Sequence, residues 1–204
     1  MPLPCFPFPS LVAQNEFCAT LCFMYYERNL PHWHPLGKDL FVTWRLSGSL
    51  PVSVIEKLRS MDSLPEGERF REFDRYLDAS SSGPLWLRDS KIAALIEGAL
   101  REAQRRELCS LHAFVVMPNH VHVLLEPKVE LRKITKRVKG STARQANQIL
   151  SRQGELFWQD ESFDHWIRNS AQFDRVELYI ERNPVAAGLA QEPWQWHWSS
   201  AAKR

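Results

Sequence analysis

Residues 114–126 read Phe-Val-Val-Met-Pro-Asn-His-Val-His-Val-Leu-Leu-Glu, which sets His120 and His122 two apart in an apolar run. Val, Leu and Phe dominate the run, so it reads as strand, turn, strand, with Pro118 and Asn119 in the turn. Side chains alternate faces along a strand. Both imidazoles therefore point the same way, about 6–7 Å apart along the chain, and Val121 points to the opposite face. Imidazole is the commonest metal-ligating side chain, and two on one face can converge on a divalent cation. A lone His-x-His is more often a solvated or hydrogen-bonded pair. Here the apolar surroundings and a second motif some sixty residues later shift the balance towards ligation.

That second motif lies in Phe173-Asp-Arg-Val-Glu-Leu-Tyr-Ile-Glu-Arg-Asn-Pro184. Phe173, Val176 and Ile180 recur at helical spacing, and Pro184 predicts a stop. At about 100° per residue these three cover an arc of about 60°, with Tyr179 about 60° beyond its edge. Asn183 falls between Tyr179 and Val176, so Tyr179 and Asn183 are i,i+4 neighbours. A phenol at the border of a buried face can be held by packing and still show its oxygen to a cleft. The plainer alternative is a boundary tyrosine whose hydroxyl bonds water.

Val-Val-Met-Pro-Asn-His120-Val-His122-Val-Leu-Leu, followed by Tyr179-Ile-Glu-Arg-Asn183-Pro-Val-Ala-Ala-Gly-Leu, resembles the single-tyrosine HUH transposases, and among them the REP-associated tyrosine transposases. Phe41-Val-Thr-Trp-Arg-Leu, Trp158-Gln-Asp-Glu-Ser-Phe-Asp-His-Trp-Ile-Arg168 and Trp196-His-Trp-Ser-Ser200 add to the likeness, which spans roughly residues 38–200. The resemblance implies cleavage and rejoining of hairpin-forming single-stranded DNA through a covalent tyrosine link. It also implies a ferredoxin-like or RRM-like core. Members of that family are found as monomers and as dimers that exchange the tyrosine helix, and both remain open for this chain.

The residue types suit that chemistry on their own terms. A phosphodiester is a poor electrophile, and a divalent ion on its oxygens acts as a Lewis acid. His120 and His122 would hold the ion, with Asn183 as a third, oxygen-donating ligand. Mixed nitrogen and oxygen donors suit Mg²⁺ or Mn²⁺. Tyr179 would be the nucleophile, splitting one hard exchange into two transfers. A phenol has a pKa near 10, so the ion or a basic neighbour must activate it. Tyr25, Tyr26 and Tyr76, the other three tyrosines, lie outside the matched motifs. Two rival readings are a hydrolytic metal nuclease, in which water attacks, and a noncatalytic binder of structured single strands.

The chain has 204 residues and a net charge of +2, so it is no polycationic coat for nucleic acid. Charge is concentrated instead. Between Lys128 and Arg152 there are eight Lys or Arg and one acid, Glu130. Leu131, Ile134 and Val138, then Ala146, Ile149 and Leu150, predict an amphipathic helix or a helix pair hinged at Gly140. Arg132, Lys136 and Lys139 form one basic stripe and Lys133, Arg137 and Arg144 a second, a pattern suited to phosphate-backbone binding.

The four cysteines (Cys5, Cys18, Cys22, Cys109) make no zinc or disulfide framework and read as free thiols in a reducing cytoplasm. No stretch reaches the length of a membrane span, and residues 1–30 lack a signal-peptide pattern. Residues 1–37 read as a poorly patterned leader with a Pro-rich, extended or disordered start over Met1–Ser10. Residues 38–200 read as the catalytic domain, with an acidic insertion over 51–83, and 201–204 as a tail.

Asp39–Leu46 reads as a strand and Pro51–Ser82 as helix-prone. Ser90–Glu107 follows as a helix with Ser90 as a candidate N-cap. The hairpin 111–117/120–126, the basic helical region, a strand over Ser162–Arg168 and the tyrosine helix over Ser170–Asn183, with Ser170 as a candidate N-cap, complete the path. The expected fold is α+β, an antiparallel sheet with helices packed on one face. Trp194, Trp196 and Trp198 are read as core-covering aromatics, and His165 as a candidate neighbour of the metal or DNA.

Overall fold

The computed structural model describes residues 23–27, 31–35, 37–61, 63, 65–79 and 83–203. The expectations for Met1–Ser10, Cys5, Cys18 and Cys22 lie outside these residues. The chain divides into two compact units, one built on Gly48–Gly83 and one on Leu21–Ser47 with Pro84–Arg204.

The smaller unit carries helices α1 (Val52–Arg59) and α2 (Glu66–Asp78), each preceded by a proline, Pro51 and Pro65. Proline suits a helix start because its missing N–H would have no intrahelical partner there. Arg75 pairs with Glu72 at 2.7 Å along the exposed side of α2. Burial, reinforced by the negative charge of Asp74, pushes the Asp78 carboxyl up to about 8.

The larger unit starts with a hairpin of β1 (Phe23–Glu27) and β2 (Pro31–Pro35), inside the segment whose sequence shows no clear pattern. Its main sheet is formed by β3 (Leu40–Arg45), β4 (Cys109–Val116), β5 (His120–Pro127) and β6 (Phe163–Trp166), in the order β4-β5-β3-β6. All pairings are antiparallel. Helix α3 (Ser90–Arg105) connects β3 to β4, and α4 (Leu131–Ile149) connects β5 to β6. Strand, helix, two strands, helix, strand in this spatial order is the ferredoxin-like arrangement.

β3 and the first six residues of β5 are buried throughout, so this sheet needs cover on both sides. On one side Leu40, Val42 and Trp44, with Val121, Val123 and Leu125, pack against Ile92, Ile96 and Leu100 of α3 and Ile134 and Val138 of α4. The opposite side carries Phe41 and Thr43 of β3 and His120, His122 and Leu124 of β5. It is covered by α5 (Ser170–Ala186), whose Tyr179 ring meets Phe41. Helices therefore lie on both faces rather than one, because a strand apolar in both directions cannot leave either side to water.

Three further points are local. α4 runs unbroken through Gly140 because Val138 and Thr142, on either side, are both packed inward, and Gly140 faces open space. The helix caps fall one residue earlier than expected: Asp89 accepts from Lys91 N at 2.8 Å, and Asn169 from Gln172 N at 2.9 Å. α5 continues past Pro184 to a glycine stop. Gly188 sits at φ 70°, with Gly188 N bonded to Val185 O and Leu189 N to Pro184 O, the paired bonds of a left-handed C-cap.

The C-terminal stretch lies along β4, with Val116 N donating to Trp198 O and Trp196 Nε1 to Val116 O. Trp198 packs on the core, as expected, but Trp194 is 63 % exposed. Trp158 is buried and donates its indole N–H to Thr142 Oγ1 at 3.0 Å, so it is core and not a base-stacking platform.

Candidate metal and tyrosine site

His120 and His122 lie on β5 with Val121 turned into the core between them, and both imidazoles are fully buried. The two rings lean towards each other, and His120 Nε2 stands 3.0 Å from His122 Nε2. Each ring is anchored by its other nitrogen. Asn119 Oδ1 lies 2.7 Å from His120 Nδ1, and Thr43 Oγ1 lies 2.7 Å from His122 Nδ1. Thr43 is brought there by the β3–β5 register, in which it faces His122 directly. Asn119 is fixed by its backbone, since its carbonyl accepts from Leu46 N at 2.8 Å.

This arrangement fits a metal ion. An ion bound to two imidazoles sits about 2.0–2.1 Å from each nitrogen, and two such nitrogens at a right angle stand about 3 Å apart. The observed separation needs no rearrangement to accept one, and the two histidines belong to a buried cluster able to hold a metal.

Tyr179 joins the pair from α5. Its half-buried ring lies 5.6 Å from the His122 ring, and 6.0 Å from Phe41 in an edge contact. Phe41 itself stacks on His122 at 5.5 Å, so one phenyl ring touches both chemical groups and fixes their spacing. Asn183 follows one turn after Tyr179 and is buried with Val176 and Ile180. Arg45, also buried, stands opposite His120 in the sheet register, and burial lowers its pKa.

His165 belongs to β6, opposite Phe41. Its Nε2 accepts from Gln172 Nε2 at 2.9 Å, which ties β6 to the start of α5. Burial, and then the nearby positive charge of Arg168, push its pKa down to about 4. His165 is therefore a neutral bracing residue near neutral pH.

The basic residues of α4 are not gathered at the histidines, because α4 packs on the other face of the sheet. Lys133, Lys136, Arg137 and Arg144 line a groove of about 920 Å³ whose far wall is Ala94, Leu95, Gly98 and Ala99 of α3. Arg132, Lys136 and Lys139 border a second groove of about 430 Å³ against residues 155–162. Lys133 also pairs with Glu130 at 3.1 Å. Lys139 differs from the rest: its ammonium donates to Gln159 O at 2.7 Å and Asp160 O at 2.8 Å.

Sequence reasoning took Asn119 only as a turn residue and Thr43 only as part of a strand. Asn119 does precede the first histidine directly, and Thr43 is the one hydroxyl in an apolar strand. Those signals were present, but which histidine each would meet depends on strand pairing.

Residues 86–183, which contain His120, His122, Tyr179 and Asn183, match the profile of the IS200-like transposases. Among solved structures the chain resembles a REP-associated tyrosine transposase bound to a REP hairpin, with 16 % identity and a TM-score of 0.54, over 93 % of this chain and 84 % of that one. It also matches a candidate transposase from Deinococcus radiodurans, with 18 % identity and a TM-score of 0.39, over 78 % and 97 % of the two chains. No curated protein gives a significant sequence match. Among the described residues no helix is long and apolar enough to cross a membrane.

Proposed function

We propose that the protein is a metal-dependent strand transferase acting on hairpin-forming single-stranded DNA, with Tyr179 as nucleophile. The reading is carried by the Tyr179 ring lying 5.6 Å from a buried histidine whose Nε2 faces that of a second histidine. His120 and His122 would hold Mg²⁺ or Mn²⁺, with Asn183 as a further oxygen donor from α5. The bound ion would polarise the scissile phosphate and offset the charge that builds on its oxygens.

The chain's own part is positional and covalent. Phe41, β5 and α5 hold the phenol and the imidazoles in fixed relation, so little ordering remains to be done when DNA enters. The Tyr179 oxygen attacks phosphorus and gives up its proton; the bond from phosphorus to the 3′-oxygen breaks, and that oxygen takes up a proton. The products are a 5′-phosphotyrosine and a free 3′-hydroxyl. The ester bond is conserved, so a second 3′-hydroxyl can reverse the step with new partners. Arg132, Lys133, Lys136, Arg137 and Arg144 would hold DNA phosphates on the α4 side of the sheet, with Lys139 bracing the chain beside them through Gln159 O and Asp160 O. The reading places the protein in the bacterial cytoplasm, as a monomer or homodimer.

The test is incubation of the full chain with labelled single strands from the DNA flanking its own gene, with Mn²⁺ or Mg²⁺, on a denaturing gel. A slow, protease-sensitive DNA band supports the reading. Cleavage without such a band points to hydrolysis, and retention without cleavage to a binder.

A further inference from the structure

We propose that Arg175 and Arg182 of α5 form a phosphate clamp that holds the DNA single strand on either side of the attacking tyrosine. They are a second set of DNA contacts, on the face of the sheet opposite α4. This rests on the reading that Tyr179 attacks a phosphodiester.

At about 100° per residue, Arg175 lies about 40° and Arg182 about 60° from Tyr179 around α5, both to the same side of it. At a rise of about 1.5 Å per residue, they stand about 6 Å before and about 4.5 Å after it along the axis. Both arginines are exposed, Tyr179 is half-buried, and Val176, Ile180 and Asn183 on its other side are buried. The edge that carries the phenol towards solvent therefore carries the two guanidinium groups as well. The acids of α5 take the far side. Asp174, Glu177 and Glu181 fall about 140–160° from Tyr179. Glu181 is turned to the C-terminal stretch, where Ser200 Oγ lies 3.2 Å from its Oε1.

Arginines of the α3 region are neutralised by acids three or four residues away. Arg101 pairs with Glu97 at 2.8 Å, and Arg105 and Arg106 both pair with Glu102 at 2.6 Å. On α5 that spacing is denied. No acid stands three or four residues from Arg175 or Arg182, and Tyr179 stands at such a distance from both. Among the described residues neither guanidinium makes a hydrogen bond or an ion pair. Mere solvation of a helix face would not require this placement. Two unopposed guanidinium groups bracketing one tyrosine suit a strand whose scissile phosphate sits at the phenol. The phosphates before and after it then come within reach of planar, bidentate donors. Anchored on both sides, the reacting phosphate is held in line with the phenol, which lowers the ordering cost of attack.

The experiment pairs two readouts on the full chain. One is affinity for a labelled thymidine oligonucleotide over a salt series; the other is adduct formation on flanking single strands with Mn²⁺. Changing Arg175 and Arg182 together to Gln should flatten the slope of log affinity against log salt by about 1.4, at about 0.7 per phosphate contact. Adduct yield at subsaturating DNA should fall by at least about 10-fold, the factor for one hydrogen bond to a charged group. Changing both to Lys keeps the charges and should keep the slope. Thermal unfolding should stay at the parent's temperature in both variants, because neither side chain has a protein partner to lose. Parent-like slope and adduct yield in the Gln variant would overturn the clamp and leave strand transfer standing. A slope lost equally in the Lys variant, or a loss that tracks a lowered unfolding temperature, would also overturn it. A parent that forms no adduct, but whose slope flattens in the Gln variant alone, supports the two arginines as DNA contacts and removes the strand-transfer reading.

Discussion

The Tyr179 ring lies 5.6 Å from the His122 ring, tilted by 59°, although the two residues come from different elements, α5 and β5. Phe41 bridges them, stacked on one ring and edge-on to the other. Removing only the phenolic oxygen tests what this closeness is for. Tyr179→Phe keeps the ring packed on Phe41, so the fold should persist within about 0.5–1.5 kcal/mol, the range for one hydrogen bond. Covalent capture of DNA should fall by at least about 10³-fold, as expected when a nucleophile is deleted. Unchanged capture on a denaturing gel would remove Tyr179 from the chemistry.

His120→Ala should abolish divalent-ion binding and DNA cleavage together. It should also lower stability by about 1–3 kcal/mol, because the buried Asn119 oxygen loses its donor. Titration with Mn²⁺ and urea unfolding measure the two effects separately. Chelation by EDTA should stop cleavage by the parent, and added Mn²⁺ should restore it. Activity in EDTA would rule out the ion's role.

The cations of α4 divide into two sets with different expected phenotypes. Arg132, Lys136, Arg137 and Arg144 are exposed. Changing these four to Gln should weaken single-strand binding and flatten its dependence on salt by about 0.7 per charge removed, or about 3 in slope. Lys139 braces the chain that follows α4 through two backbone carbonyls. Lys139→Ala should therefore cost about 1.5–3 kcal/mol of stability, the range for hydrogen bonds from a charged group. A fourfold variant with a parent-like salt slope would place the DNA elsewhere.

His165 makes stability pH-dependent. Its folded pKa, about 4, lies below the ordinary histidine value of 6.5. A histidine held neutral contributes stability that is complete above 6.5 and is lost as the pH falls towards 4, with an upper limit of about 3.5 kcal/mol at about 1.4 kcal/mol per unit. Protonation would also deny Gln172 its acceptor. Thermal unfolding of the parent should drop between pH 6.5 and 4. His165→Gln should show a shallower fall over the same window, and equal slopes would contradict this origin.

The elements that could be read in advance are those with one dominant local pattern. The His120–His122 strand follows from its Val and Leu content, α3 from its unbroken apolar stripe, and the shared side of Tyr179 and Asn183 from helical spacing. Cap positions moved by one residue because Asp89 and Ser90, or Asn169 and Ser170, are similar capping candidates side by side. Of the two arrangements open at Gly140, the unbroken helix holds because packing of Val138 and Thr142 outweighs the roughly 1 kcal/mol preference against glycine in a helix.

The sequence by itself determined the chemical inventory: two imidazoles on one strand face, one tyrosine at a helix border, and an excess of positive charge on a single helix. These depend on periods of two and 3.6 residues, which local backbone geometry sets. Only the tertiary structure decided what meets what. Strand register put Thr43 against His122, sheet order left a second face for α5 to cover, and α4 went to the far side of the sheet from the histidines. Those outcomes depend on residues dozens of positions apart burying the same surface, a requirement that no local spacing encodes.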